Sequence, residues 1–299
     1  MRSLMGLDMV QRLAPSLAAR VCNPLSSLTR GFTIDFYGYC YRGETKNHLD
    51  WCAYFLKNFA AAEAVLVESI ASFVRQSGQP FVCLELGANV GLRTLVMART
   101  ADQLITLEPV QGAFERVDEK IRMNRLHHVK LFQMQMDEYA GSLELEVLSP
   151  VNFAVIRKDD APITGAYGSV VVTAVKGDDF LRQNSMPLPH FIRIDGRTDC
   201  TRALRGLVET LQQMRPVLLI ECPSPRSEQT IDETTLRSVL YEDVEIAAFN
   251  DSAFDGTFSI DEVDPTSRKL ICFPSSLGQM SEQEACKPLD LGTHPGGGA

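Results

Sequence analysis

The sequence predicts an α/β fold built on a doubly wound, mostly parallel sheet, and three observations carry that expectation. From Phe81 onward, short apolar runs rich in β-branched residues alternate with helical stretches. A glycine-bearing turn joins the first of these runs to its helix, and an acid closes the second run. Strands that alternate with helices in this way pair in parallel, with right-handed crossovers.

The elements follow in order. Residues 32–42 alternate as Phe32, Ile34 and Phe36 against Thr33, Asp35 and Tyr37, then pass through Gly38, which reads as strand, turn, strand. From Asn47 to about Gln76 the apolar period is helical, in two pieces broken near Asn58. A buried strand is expected over 81–86, a helix over 91–99, a strand over 104–107, a helix over 112–124 and a strand over 129–132. Leu143, Leu145 and Val147 alternate with glutamates as a half-exposed strand, and Val170-Val171-Val172 gives another. The sheet resumes with a strand over 191–194, a helix over 203–213 and a strand over 217–220, with last strands over 244–249 and 269–273.

The chain has 299 residues, of which 45% are hydrophobic and 22% charged, ordinary values for a soluble globular protein able to bury a full core. A net charge of −9 argues against broad binding to nucleic acid or to anionic membranes, which need basic faces. A small or neutral partner is expected. No apolar run approaches the roughly 18 residues that span a bilayer. Arg2, Arg12, Arg20 and Arg30 outweigh Asp8 in the first thirty residues, a balance open to two readings, a surface helix or a transit-type segment. Eight cysteines include no CxxC pair and no grouping with the five histidines at metal-ligand spacing. Cys83, Cys222 and Cys272 fall in or beside apolar runs, where a thiol packs as a small hydrophobe. Together these point to a reducing, cytoplasmic setting and to no metal. The expected organisation is an N-terminal segment (1–30), a small cap (31–78), the sheet domain (79–275) and a glycine-rich, disordered tail (276–299).

The most informative run is Glu85-Leu86-Gly87-Ala88-Asn89-Val90-Gly91, which follows a buried strand and opens a helix. Gly87 allows the tight turn, Gly91 allows close approach of helix to strand, and Asn89 tolerates positive φ. The helix N-terminus offers N–H groups to a ligand carboxylate. Glu108 ends the next strand, 23 residues after Glu85. Nucleotide-type folds place a ribose-binding carboxylate there. An NAD-dependent oxidoreductase competes for such a turn, but it prefers G-x-G-x-x-G, whereas Gly87 and Gly91 enclose three residues.

These residues resemble the FkbM-type S-adenosylmethionine-dependent methyltransferases. The family's first motif, approximately D/E-x-G-A-N-x-G, is matched by residues 85–91, and its E-P by Glu108-Pro109. The likeness continues in Lys120-Ile121-Arg122-Met123-Asn124 and in Asp178-Asp179-Phe180-Leu181. It ends with Ala203-Leu204-Arg205-Gly206 and with the run from Arg215-Pro216 to Glu221. The resemblance implies a class I methyltransferase fold over 79–275 and an S-adenosylmethionine cofactor across the carboxyl ends of the strands. It places Gly87 and Asn89 by the methionine portion, Glu108 on the ribose and Asp137 towards the adenine. It also implies methylation of a hydroxyl on a sugar, glycan or polyketide-like acceptor.

The fourth-strand motif departs from the family's I-K-I-D-V-E-G-x-E. Here it reads Ile192-Arg193-Ile194-Asp195-Gly196-Arg197-Thr198-Asp199-Cys200, and Phe59-Ala60 stand in place of the family's Y-E before the first strand. Asp195 is the candidate base or acceptor-orienting group, or else a cap for the following helix. Arg197 and Asp199 are candidate acceptor contacts. His190 falls at the wrong end of the sheet, and His127 and His128 in a surface turn. Because of the departures, a donor-binding but inactive relative serving as an interaction module stays open beside the enzyme.

Overall fold

A computed structural model describes residues 30–56, 59–158, 166–196, 198–222, 233–251, 257–264 and 267–277. The expectations for residues 1–29, for Arg197 and for the tail from 278 lie outside the described residues.

The chain opens with an antiparallel hairpin, β1 (Gly31–Phe36) and β2 (Tyr39–Glu44), turned at Tyr37 and Gly38, both of positive φ. Helices α1 (His48–Phe55) and α2 (Ala61–Gln76) follow. Asn47 caps α1 by accepting the N–H groups of Leu49 and Asp50. The alternation then begins with β3 (Val82–Leu86), α3 (Leu92–Ala98), β4 (Gln103–Leu107), α4 (Gln111–Met123) and β5 (Val129–Phe132). Next come β6 (Gln135–Asp137), β7 (Gly141–Ser149), β8 (Ala154–Arg157) and β9 (Ser169–Lys176), then α5 (Gly177–Gln183). The alternation returns with β10 (Phe191–Ile194), α6 (Cys200–Arg205), α7 (Val208–Met214) and β11 (Val217–Glu221). The chain closes through α8 (Glu233–Val239), β12 (Val244–Asp251), β13 (Phe258–Asp261) and β14 (Lys269–Pro274).

The central sheet has the order β13-β12-β14-β11-β10-β3-β4-β5. Neighbours from β11 to β5 pair in parallel, and β11–β14, β14–β12 and β12–β13 pair antiparallel. This is a mixed α/β fold whose sheet is parallel through its middle and antiparallel at one edge. The inner parallel strands β3, β4, β10 and β11 are buried along almost their whole length because each face is covered. Cys83, Leu104, Phe191 and Leu219 pack under α2 and α3 in one core. Leu84, Ile105, Ile192 and Ile220 face Leu181, Leu204 and Leu211 of α5, α6 and α7 in the other.

Two features differ from the sequence expectation. The half-exposed strands form a separate sheet of order β6-β9-β7-β8, which includes the unforeseen β6 and β8. The helix expected over 203–213 is two helices, broken at Gly206-Leu207. A Cβ on Gly206 would collide with the carbonyl of Asp137, and the Gly206 carbonyl accepts the N–H of Asp178, so α6 ends where β6 and α5 close in on it.

Polar anchors fasten the N-terminal elements to the sheet domain. Buried Asp50 accepts the Tyr41 hydroxyl at 2.7 Å, the Glu44 N–H at 2.9 Å and Arg116 of α4 at 2.5 Å. The Asn124 amide, just past α4, pairs with both backbone groups of Cys40 on β2. Asp50, buried and satisfied from three sides, fixes one docking geometry.

Candidate active site

The winding of the sheet reverses between β3 and β10. The chain runs from β3 through β4 to β5 on one side and later through β10 to β11 on the other. Open α/β sheets bind ligands outside the carboxyl ends of the strands at such a point. The turn after β3 and the loop after β10 meet there.

Gly87 leaves β3 at φ +84°, and its N–H donates to the Leu107 carbonyl at 2.9 Å. A Cβ on Gly87 would lie 2.8 Å from the Cβ of Asp195 and 3.0 Å from the Thr198 hydroxyl, so glycine is what lets the two loops touch. Asn89 also takes a positive φ of +55°, and Gly91 caps α3 at +79°. Glu108, buried at the end of β4, accepts the N–H of Asn89 at 2.7 Å and that of Val110 at 2.9 Å. The acid expected to meet a ribose therefore also clasps the turn that would hold the rest of the ligand. The Asn89 amide donates through Nδ2 to the Asn152 carbonyl at 3.1 Å, and its Oδ1 is buried with no hydrogen-bond partner.

Glu85 lies inside β3, beneath the turn. Its carboxylate takes the Thr94 hydroxyl at 2.6 Å and the Thr106 hydroxyl at 3.3 Å, and Oε1 has no partner. Burial raises its pKa, against the opposing charge of Arg193. Asp195 emerges from β10 with its N–H on the Leu86 carbonyl at 2.9 Å and its Oδ2 3.9 Å from Arg193 Nη1.

The structure thus brings Gly87, Asn89, Glu108 and Asp195 together around the turn after β3, with Glu85 buried beneath it and Gly91 packed against Val117 of α4. Asp137 ends β6 with its carboxylate on Arg157 of β8 at 2.5 Å and on the Glu138 N–H at 2.8 Å. Asp199 caps α6, accepting the Arg202 N–H at 3.1 Å, so the capping role left open for Asp195 falls to Asp199. His190 sits at the opposite end of the strands, its Nδ1 3.2 Å from the Val82 nitrogen, and burial lowers its pKa. Among the described residues, no group of three or more His, Cys, Asp or Glu side chains could hold a metal ion. No helix among them is long and apolar enough to cross a membrane.

A buried ionic network beside Asp195 was not anticipated from the sequence. Glu63 of α2 accepts Arg93 of α3 with both oxygens at 3.1 Å and Lys269 of β14 at 2.7 Å, with Arg193 Nε at 3.4 Å. Arg193 also reaches Glu221 at 2.7 Å, and Lys269 reaches Asp251 at 2.7 Å. Burial works against ionised Glu63, but Arg93, Lys269 and Arg193 together overcome it and hold its pKa well below the carboxylate range. Arg93 is moved the other way: burial opposes its charge, yet Glu63 and Glu221 more than compensate and raise its pKa. The one signal in the sequence was a lone charge inside an apolar run, Glu63 among Ala61, Ala62, Ala64 and Val65, and Arg93 between Leu92 and Leu95.

No protein-family model matches the chain, and no curated protein does. Among solved structures, the chain is similar to the methyltransferase FkbM of Methylobacillus flagellatus KT, at 15% identity and a TM-score of 0.44 over 68% of this chain and 48% of that one. It therefore spans about half the length of that protein. It is also similar to a SAM-dependent methyltransferase of Agrobacterium tumefaciens, at 11% identity and a TM-score of 0.46 over 85% of this chain and 72% of the other. A third likeness is to an O-methyltransferase of Bacillus cereus in complex with SAH, at 13% identity and a TM-score of 0.38 over 72% and 90%. These are distant, partial likenesses, each with a TM-score below 0.5.

Proposed function

We propose that this chain is an S-adenosylmethionine-dependent methyltransferase that methylates a hydroxyl of a small molecule, of the sugar, glycan or polyketide-like kind. The observation that carries the reading is the turn after β3, clasped by Glu108 and pressed at Gly87 against Asp195 where the winding reverses. The residues present fit an adenosyl donor. The buried Asn89 Oδ1 lacks a donor, and a carboxylate such as Glu108 offers about four acceptor positions for backbone amides and ribose hydroxyls together.

Bound S-adenosylmethionine would supply an electrophilic methyl group, with adenosylhomocysteine as the thioether leaving group. The chain's own residues align the partners and take the proton. Glu108 orients the ribose while holding the turn in register. Asp195, across Gly87 from that turn, takes the proton from the acceptor hydroxyl. Asp137 and Asp199, engaged by Arg157 and by the α6 N-terminus, frame the site in this reading.

The test is Asp195→Asn on an acceptor found by screening hydroxylated compounds with labelled donor. Turnover should fall about 10²–10⁴-fold, as for loss of a positioned base, while affinity for adenosylhomocysteine stays within a few-fold. Full turnover in the variant would remove Asp195 from the mechanism. Tight donor binding with no turnover of any acceptor by the native protein would favour the inactive, interaction-module reading.

A further inference from the structure

The second sheet reaches the turn after β3 through one short segment, residues 151–153, at the tip of the β7–β8 hairpin. Three hydrogen bonds seat it. Asn47 Nδ2 donates to the Val151 carbonyl at 2.8 Å, the His48 N–H donates to Asn152 Oδ1 at 2.8 Å, and Asn89 Nδ2 donates to the Asn152 carbonyl at 3.1 Å. The Phe153 ring lies against Gly112 in the first turn of α4, where a Cβ would stand 2.7 Å from Phe153 Cε1. The tip therefore bridges the N-terminal helices, the glycine turn and the helix that follows Glu108.

This seating is unfavourable at two points. A carbonyl only accepts, so the Asn152 carbonyl forces the Asn89 amide to present Nδ2 and leaves Oδ1 on the other side. There Oδ1 is buried without a partner, which costs more than an exposed acceptor would. Phe153 holds φ at +50°, a region that bulky residues rarely occupy. An atom sealed from water is sealed from a ligand as well, so the packing around the Asn89 amide, the tip included, has to shift before a ligand N–H reaches Oδ1.

We propose that residues 151–153 are a latch over the donor turn, lifting to admit an adenosyl ligand and reseating once a ligand N–H satisfies Asn89 Oδ1. This rests on the donor-binding reading above. Asn47 and Gly112 provide the seat to which the tip returns.

The test follows adenosylhomocysteine association and dissociation with the full chain, by stopped flow, for the native protein and two variants. Asn47→Asp keeps the oxygen that caps α1 and removes the donor to Val151. Gly112→Ala places a methyl group where the Phe153 ring now rests. Each should speed release about three- to tenfold, the effect of losing one such contact, without slowing association. Hydrogen exchange of the His48 amide should quicken in both variants, and in the native protein it should slow when adenosylhomocysteine is added. If Gly112→Ala does not fold, Asn152→Ala, which removes the acceptor of that amide, carries the same expectation. Unchanged release and unchanged His48 exchange in the folded variants would overturn the latch and leave donor binding standing. A native protein that binds no adenosylhomocysteine would overturn the donor reading, and the latch with it.

Discussion

The ammonium of Lys120 is buried over the Tyr41 ring, 4.5 Å from its centroid, with its Nζ 3.4 Å from the Arg116 carbonyl. Burial pushes its pKa down to about 8 from 10.5, against the opposing pull of Asp50. Between those two values the unfolded chain binds more protons than the folded one, so this residue makes stability rise with pH. Its penalty is fully present below pH 8, on the order of 3 kcal/mol, and vanishes above about 10.5. Lys120→Met should therefore be more stable than the native protein at pH 7, with the difference shrinking towards pH 10. Urea unfolding of both proteins at the two pH values checks this, and a difference independent of pH would contradict it. At this scale the sequence was legible where a residue answers a local demand. Gly87 and Asn89 stand where the backbone needs positive φ, and both adopt it; Gly91, expected to let helix approach strand, also takes positive φ and lies against Val117 of α4 instead. It was not legible where a charge is explained by distant partners: Glu63 meets Arg93, Arg193 and Lys269 only once four separate elements have packed. Nor did the sequence show that Asp199, expected as an acceptor contact, would cap the next helix in place of Asp195, since both precede it.

Among the elements, the break between α6 and α7 has a single local cause. Gly206 has an ordinary helical backbone, yet only a hydrogen fits between it and the Asp137 carbonyl. In most helix positions Gly→Ala is stabilising, but here Gly206→Ala should destabilise by about 1–3 kcal/mol, as overpacking does. Thermal unfolding measures the sign directly, and a rise in melting temperature would show that the β6–α6 contact is looser than described. The same contact explains why one helix was expected over 203–213: the apolar period continues through Gly206-Leu207, and the obstacle lies on a strand about 70 residues earlier. The strands β6 and β8 escaped notice because three or four residues are too few to show a period of two. By contrast, β3, β4, β10 and β11 were plain in the sequence, since burial on both faces demands continuous apolar runs.

For the molecule as a whole, the parallel middle of the sheet was readable from strand–helix alternation, and its antiparallel edge was not. The edge order depends on β14 inserting between β11 and β12, a long-range choice that no local pattern encodes. The consequence is functional placement. The face under α2 and α3 is apolar at Cys83, Phe191 and Leu219, then turns ionic at Glu85, Arg193 and Glu221 as the strands approach the crevice. Everything proposed for this protein depends on an adenosyl ligand entering that crevice beside Glu108. The direct measurement is calorimetric titration of adenosylhomocysteine, with NAD as the control, into the full chain and into a folded Glu108→Gln variant. One site is expected for adenosylhomocysteine and none for NAD. The variant should bind at least about tenfold more weakly, in keeping with about 1.5–3 kcal/mol for a hydrogen bond to a charged group. No binding of adenosylhomocysteine, or equal affinity in native protein and variant, would contradict the account.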